Sequence, residues 1–256
     1  MIDYHKDGRI AYFTINRPEA LNAFTVKGFQ EMEQTFSEFR DDDDVWVGII
    51  TGAGEKAFSA GADVKEALPF FQKTAYKPWQ VPRTIMRGIE VWKPLIAGIN
   101  GYALGGGLEL AMACDIRIAA DHAKMGLREV AVGMFPGGGG TQRLTRLVGP
   151  GIASEMIFTA KMIDAQEAYR IGLVNKVVPL AELMPACKEM AEKICDNSPT
   201  AVRITKQLIV RGGMNLSLDE GLDLEDRLCP MVVDSADFQE GIKAFQEKRK
   251  PNYQGK

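Results

Sequence analysis

Apolar residues recur along this chain in short blocks whose spacing switches between two residues and three to four. Gly8 to Asn16 alternates apolar with polar side chains and ends at Arg17-Pro18, the pattern of a strand running into a turn that proline closes. Phe24, Phe29, Met32, Phe36 and Phe39 then recur at helical spacing, with Thr25 placed to cap the start and the Asp41 to Asp44 run to end it. Those aspartates read as a solvated turn, because neither the glycine nor the terminal glutamate of a calcium loop follows at the required offset. Val45 to Thr51 and Leu95 to Ile99 are short, continuous apolar runs, the signature of buried strands.

Between those strands, Glu55 to Trp92 carries bulky residues (Phe70, Phe71, Tyr76, Trp79) but weak periodicity, and predicts a loop with one or two helices that walls a pocket. From Ile99 the order is strand, Gly-rich turn, helix (Gly107 to Cys114), strand (Asp115 to Ala119), and later a second Gly-rich turn at Gly137 to Gly140. Alternating strands and helices predict an α/β fold with a substantial parallel component. After Pro179 the pattern becomes helical throughout: Leu183 to Ile194, Ala201 to Val210, Ser217 to Leu228 and Phe238 to Lys248. The expected division is a core of residues 1–195 and a helical unit of residues 196–256.

Composition narrows the chemistry. At 256 residues and 46% apolar content the chain can bury a large core. A formal charge of -3, from 31 basic and 34 acidic residues, provides no net pull toward nucleic acid or an anionic membrane. Cys114, Cys187, Cys195 and Cys229 form neither a CxxC pair nor a zinc pattern, so reduced, mostly buried thiols are expected. With only His5 and His122, metal centres and Ser-His-Asp schemes have little to build on. No apolar run approaches the ~20 residues of a membrane span. A bacterial cytoplasmic protein is the expectation, with a mature mitochondrial form as the alternative.

The sharpest local feature is Ile99-Asn100-Gly101-Tyr102-Ala103-Leu104-Gly105-Gly106-Gly107-Leu108-Glu109-Leu110-Ala111. Three glycines between an apolar strand and an apolar helix let the backbone close against a ligand, with free N–H groups at the helix start. No Lys-Ser/Thr follows, as a phosphate loop requires. Glu109 is the one charge in an apolar helix start. It reads equally as a partner for the helix dipole and as a base tuned by apolar surroundings. Glu129, entering the apolar run before Met134-Phe135-Pro136, reads alone as an edge-strand or turn residue. Two carboxylates beside an oxyanion site are what proton transfer next to a carbonyl requires. Lys56 to Asp63 offers another small-residue turn, or a plain loop. Gly52-Ala53-Gly54-Glu55-Lys56-Ala57 matches the dinucleotide fingerprint in letters only, because neither an apolar helix nor an acidic residue near the ~20 offset follows. Ser59 lies outside any G-x-S-x-G elbow.

Together, Asn16-Arg17-Pro18 through Ala20-Leu21-Asn22-Ala23, Ala57 to Asp63, Asn100 to Asp115, Pro136 to Arg143 and Ala244 to Arg249 resemble the crotonase (enoyl-CoA hydratase/isomerase) superfamily, in order and over essentially the whole chain. The resemblance implies a spiral of strand-strand-helix turns with a C-terminal trimerisation unit, assembled as a homotrimer or a hexamer. It implies an acyl-CoA substrate and no separate cofactor, with an oxyanion hole from the backbone N–H groups of Ala62 and Gly106. Glu109 and Glu129 would hold and activate water for addition to a 2-enoyl thioester. Ala20, Leu21, Ala60, Ala62 and Asp63 would contact CoA, with Phe245 and Lys248 approaching its nucleotide end from a neighbouring subunit. Leu68, Met134 and Phe135 would shape the acyl pocket. Leu127-Arg128 before Glu129 departs from the Gln-Pro or Leu-Pro of many hydratases. Glu19 replaces a common lysine, and Cys229 stands near where many have an aromatic. The alternatives are a double-bond isomerase, a hydratase of a cyclic or branched enoyl-CoA, and a non-catalytic CoA- or RNA-binding subunit.

Overall fold

The N-terminal alternation folds as a hairpin: β1 (Ile2–Asp7) pairs antiparallel with β2 (Ile10–Ile15), so the expected single strand from Gly8 is preceded by one that the pattern did not announce. β1 is mostly exposed, and its polar, edge-strand character left no apolar alternation to read. The chain is described by a computed structural model covering residues 1–74, 77–213 and 216–255; Tyr76 lies outside the described residues. To the hairpin are added, in parallel, β3 (Val47–Gly52) and, further along the chain, β5 (Leu95–Ile99), β7 (Ile116–Ala120) and β10 (Lys176–Val178), giving the order β1-β2-β3-β5-β7-β10. A second sheet runs β4 (Ala57–Ser59), β6 (Tyr102–Leu104), β8 (Lys124–Gly126) and β9 (Ile163–Asp164), the last antiparallel.

Three strands of the first sheet each lead into a short strand of the second. β3 precedes β4, β5 precedes β6, and β7 precedes β8, which is the spiral of strand-strand-helix turns expected from the resemblance. The helices are α1 (Val26–Asp41), α2 (Ala67–Thr74), α3 (Gly106–Ala113), α4 (Gly140–Val148), α5 (Pro150–Phe158), α6 (Ala165–Arg170), α7 (Leu180–Cys195), α8 (Pro199–Gln207), α9 (Leu218–Val233) and α10 (Ala236–Gln246). The segments expected as a small-residue turn and a Gly-rich turn hide the three-residue strands β4 and β6, too short to show a period.

Both faces of the first sheet are covered, which explains why its strands read as continuous apolar runs. Ala11, Phe13, Ile15 and Ile50 face the core that includes Phe29, Met32, Phe36 and Phe39 of α1. Ile10, Val47, Ile49, Ile96 and Ile118 face Leu183, Ala186, Cys187 and Ala191 of α7. Thr25 caps α1 by accepting from the Gly28 N–H at 3.0 Å, and the buried Lys93 ammonium donates to the Phe39 carbonyl at 2.6 Å near the helix's other end. Burial lowers that ammonium to about 8.

Where the two sheets meet, side chains would obstruct the main chain. A methyl at Gly107 would overlap the Ser59 carbonyl, and one at Gly101 would overlap that of Lys56. Gly107→Ala should therefore lower stability by about 2–4 kcal/mol, by overpacking against backbone that cannot move aside. Gly151→Ala in α5, where an added methyl meets nothing within 4 Å, should change it by less than about 1 kcal/mol. Urea unfolding of the two variants beside the parent checks the contrast, and equal midpoints would remove the steric account.

Candidate active site

The site is built where the Ala60–Ala62 turn after β4 abuts the start of α3. Phe24 makes a parallel bridge to Ala62, its N–H donating to the Gly61 carbonyl at 2.7 Å and its carbonyl accepting from the Asp63 N–H at 2.8 Å. In an extended chain alternate N–H groups point to opposite sides, so the Ala62 N–H is turned away from Phe24. Gly61 takes φ +89°, and its N–H donates to the Ser59 hydroxyl at 3.0 Å. Gly105 adopts φ +51° and ψ −126°, open essentially to glycine alone, and anchors the turn by donating to the Gly126 carbonyl at 2.9 Å. Helix α3 therefore starts at Gly106, one residue earlier than expected, and its first N–H has no intrahelical acceptor.

The two turns touch. A Cβ built on Gly61 would lie 2.8 Å from the Gly106 nitrogen, and one built on Gly106 would lie 3.6 Å from the Ala62 nitrogen. Neither the Ala62 nor the Gly106 N–H donates to a protein acceptor among the described residues. Two unengaged donors side by side are suited to an oxygen on which negative charge develops.

Glu109, in the first turn of α3, is 4% exposed, so its carboxylate needs partners. The Gly140 N–H donates to its Oε1 at 2.8 Å, and a Cβ at Gly138 would lie 2.6 Å from its Oε2. The second Gly-rich turn is thus wrapped around this carboxylate at the N-terminus of α4. Burial raises the Glu109 pKa, while the Gly140 and Gly138 amides and the nearby Arg143 and Arg87 cations oppose the rise. Glu129 opens a 3-10 turn, Glu129–Val132, rather than an edge strand. Its carboxyl faces Gly105, where a Cβ would lie 3.2 Å from Oε1, so it sits directly beside the oxyanion turn. The Oε2 atom is buried without a hydrogen-bond partner among the described residues. Burial foremost, with a further push from the Glu109 charge, carries the Glu129 carboxyl up to about 7.

The remaining predicted residues are spread over several elements. Ala20, Leu21 and Ala60 lie together, with the Ala60 N–H donating to the Leu21 carbonyl at 2.9 Å; Leu21 (φ +51°) and Asn22 (φ +56°) form a left-handed pair. The Asp63 carboxylate is engaged by the Arg17 guanidinium at 2.7 Å and by the N–H groups of Lys65 and Glu66. Leu68 is half-buried on α2, while Met134 and Phe135 are exposed just beyond the Glu129 turn. Phe245, 85% exposed, lines a groove of about 530 Å³ with Phe238, Ile242 and Tyr253 near the end of α10, away from both glutamates. Lys248, just past α10, is also exposed, at φ +53°.

Residue types alone did not single out the supporting groups. Asn22 is fully buried, donating to the Ala53 and Ala57 carbonyls at 3.0 and 2.7 Å. Asn100 donates to the Gly52 and Gly54 carbonyls at 2.8 and 2.7 Å, which closes the Gly52-Ala53-Gly54 segment as a bend leading to β4 and explains why it is no dinucleotide loop. Arg143 had a signal: a cation near the N-terminal end of a helix opposes the dipole and calls for a specific partner. Among the described residues no group of His, Cys, Asp and Glu is arranged to hold a metal ion, and no helix is long and apolar enough to cross a membrane.

A native carboxyl that titrates at about 7 binds a proton over a window, from its ordinary value to about 7, in which the unfolded chain does not. Stability therefore falls as pH rises through that window. Glu129→Gln should leave stability unchanged below pH 4.5 and raise it at pH 8 by about 1–2 kcal/mol, after allowance for the side chain's partial exposure. Urea midpoints at the two pH values check this, and a gain of equal size at both would sink it.

Comparison with known proteins identifies the family. Residues 5–256 match the family described as enoyl-CoA hydratase/isomerase. The chain is 48% identical to a short-chain-enoyl-CoA hydratase of Clostridium acetobutylicum over 96% of its own length and 94% of that protein's. It is 44% identical to a crotonyl-CoA hydratase of Syntrophomonas wolfei, over 97% and 95%. Among solved structures, an enoyl-CoA hydratase from Bacillus anthracis superposes with a TM-score of 0.88 at 39% identity, covering 100% of this chain and 99% of that one.

Proposed function

The chain belongs to the enoyl-CoA hydratase/isomerase family, and from that premise we propose that it adds water across the double bond of a short 2-enoyl-CoA, through an enolate held by Ala62 and Gly106. The observation that carries the reading is the unequal pair of carboxyls beside two unengaged N–H groups. Glu129 is proton-bearing up to about 7, and Glu109 is held by helix-start amides.

The thioester oxygen accepts from the Ala62 and Gly106 N–H groups, so charge moving onto it meets fixed dipoles. Each such donor typically lowers the barrier by about 3 kcal/mol. Glu109 takes a proton from water as the water oxygen bonds to carbon 3. Glu129 delivers its proton to carbon 2, and exchange with solvent after product release restores the starting state. Each proton transfer typically contributes about 10²- to 10⁴-fold. No separate cofactor takes part, since CoA arrives with the substrate. Ala20, Leu21, Ala60 and Asp63 supply main-chain and turn contacts to it, while Leu68, Met134 and Phe135 border the acyl group.

Assembly completes the reading. Helix α9 has no buried residue, yet Leu218, Leu222 and Met231 stand exposed on it, and Phe238, Ile242 and Phe245 on α10. A trimer or a dimer of trimers would cover these faces and bring Phe245 and Lys248 to a neighbour's CoA. A cytoplasmic setting fits the same reading.

Crotonyl-CoA hydration, followed as loss of conjugated-thioester absorbance in ¹⁸O-water, should yield a 3-hydroxyacyl product carrying the label. Glu109→Gln should slow it by at least about 100-fold. Unlabelled product, or a Glu109→Gln rate close to the parent's, would overturn the two-glutamate mechanism. A panel of straight, branched and cyclic enoyl esters then defines the acyl preference.

A further inference from the structure

Arg143 lies near the start of α4, half-buried, and burial lowers its pKa. Its guanidinium donates to two main-chain carbonyls from different segments, Gly138 at 2.9 Å and Met86 at 2.9 Å. Gly138 and Gly140 are the residues wrapped around Glu109, and Gly139 between them takes φ +104°, where a side chain would collide with the guanidinium. Met86 is buried in a closed turn in which Thr84 and Arg87 exchange N–H···O bonds at 2.9 Å, and Arg87 is the second cation acting on Glu109. Arg143 therefore ties together the two segments that bear on Glu109.

We propose that Arg143 is a positioning residue: by bridging the Gly138 and Met86 carbonyls it clamps the glycine turn onto Glu109 and holds that carboxylate in place for water activation, without itself touching substrate. The proposal rests on the base role given to Glu109 above. The charged groups facing Glu109 are Arg143 from α4, Arg87 from the 84–89 turn and Glu129 from the 3-10 turn, with the Gly138 and Gly140 amides. Cys114, whose electrostatic influence reaches Arg143, is raised by burial to about 12 and stays neutral. Arg143 opposes the effect of burial on Glu109, so its loss moves Glu109 to higher pH. A guanidinium spans both carbonyls at once through its planar fork, whereas an ammonium keeps the charge without the fork.

Two substitutions separate clamp from charge. In Arg143→Met, kcat for crotonyl-CoA should fall by about 100-fold, KM should change by less than about threefold, and the acid limb of kcat/KM should move to higher pH. In Arg143→Lys, kcat should fall by about 10-fold with the acid limb unmoved. The Glu109 carboxyl is also titrated directly by infrared difference spectroscopy against Glu109→Gln, a readout that needs no turnover. It should move to higher pH in Arg143→Met alone. A parent-like kcat in either variant, or an unmoved Glu109 titration in Arg143→Met, overturns the proposal. If Arg143→Met does not fold, the Arg143→Lys rate decides it. Should the parent hydrate no enoyl-CoA, the functional reading fails while the infrared titration still tests the clamp.

Discussion

Everything at this site depends on the approach of one stretch of main chain to another at a distance that admits no side chain. Gly61, Gly106 and Gly107 each pack against backbone of the opposing turn, and the Ser59 carbonyl occupies the space a Gly107 methyl would need. That contact brings the short second sheet against α3 and leaves the Ala62 and Gly106 N–H groups side by side. Glycine in a helix start and in a turn costs conformational entropy relative to alanine. The larger sheet, sealed on both faces by α1 and α7, supplies the burial that offsets this cost and holds the turns still.

From that fixed contact follows the division between the two carboxylates. Both are buried enough to be pushed toward the protonated form and both meet backbone amides that oppose the push, but only Glu109 also has two nearby cations, Arg143 and Arg87. Glu129 meets Gly105 and the Glu109 charge, and its own Oε2 is buried without a partner among the described residues. Identical side chains thereby acquire different tasks from their surroundings, one suited to accept a proton and the other to give one. The glycine turn at 137–140 belongs to this electrostatics as much as to the fold, because Gly138 and Gly140 allow the amides to reach the carboxylate.

The large elements were legible because burial imposes a period: Phe29, Met32, Phe36 and Phe39 mark the inner face of α1, and Val45 to Thr51 a strand covered on both sides. The three-residue strands β4, β6 and β8 were not, since three residues carry no period and their identity rests on long-range pairing. At the site, Gly106, Glu109 and Glu129 stood out as glycines and charges in apolar company. Asn22, Asn100 and Arg143 did not, because what they do is bond carbonyls that lie tens of residues away along the chain, 57 in the case of Arg143 and Met86. Local pattern reports burial; it is silent about which distant carbonyl a donor will meet.

The helical third is wired into this site through the same class of side-chain-to-backbone link. Lys206 of α8 donates to the Lys93 carbonyl at 2.9 Å and pairs with Asp115 at 2.7 Å, while Asp115 accepts from the Leu95 N–H that begins β5. Arg211, in the π-helical turn Leu208–Gly213, stacks 4.6 Å from the Trp92 ring centre and pairs with Glu90 at 2.8 Å. Residues 86–93 are therefore held at one end by α8 and the π-helical turn and at the other by Arg143 on the Met86 carbonyl, with Arg87 between the two.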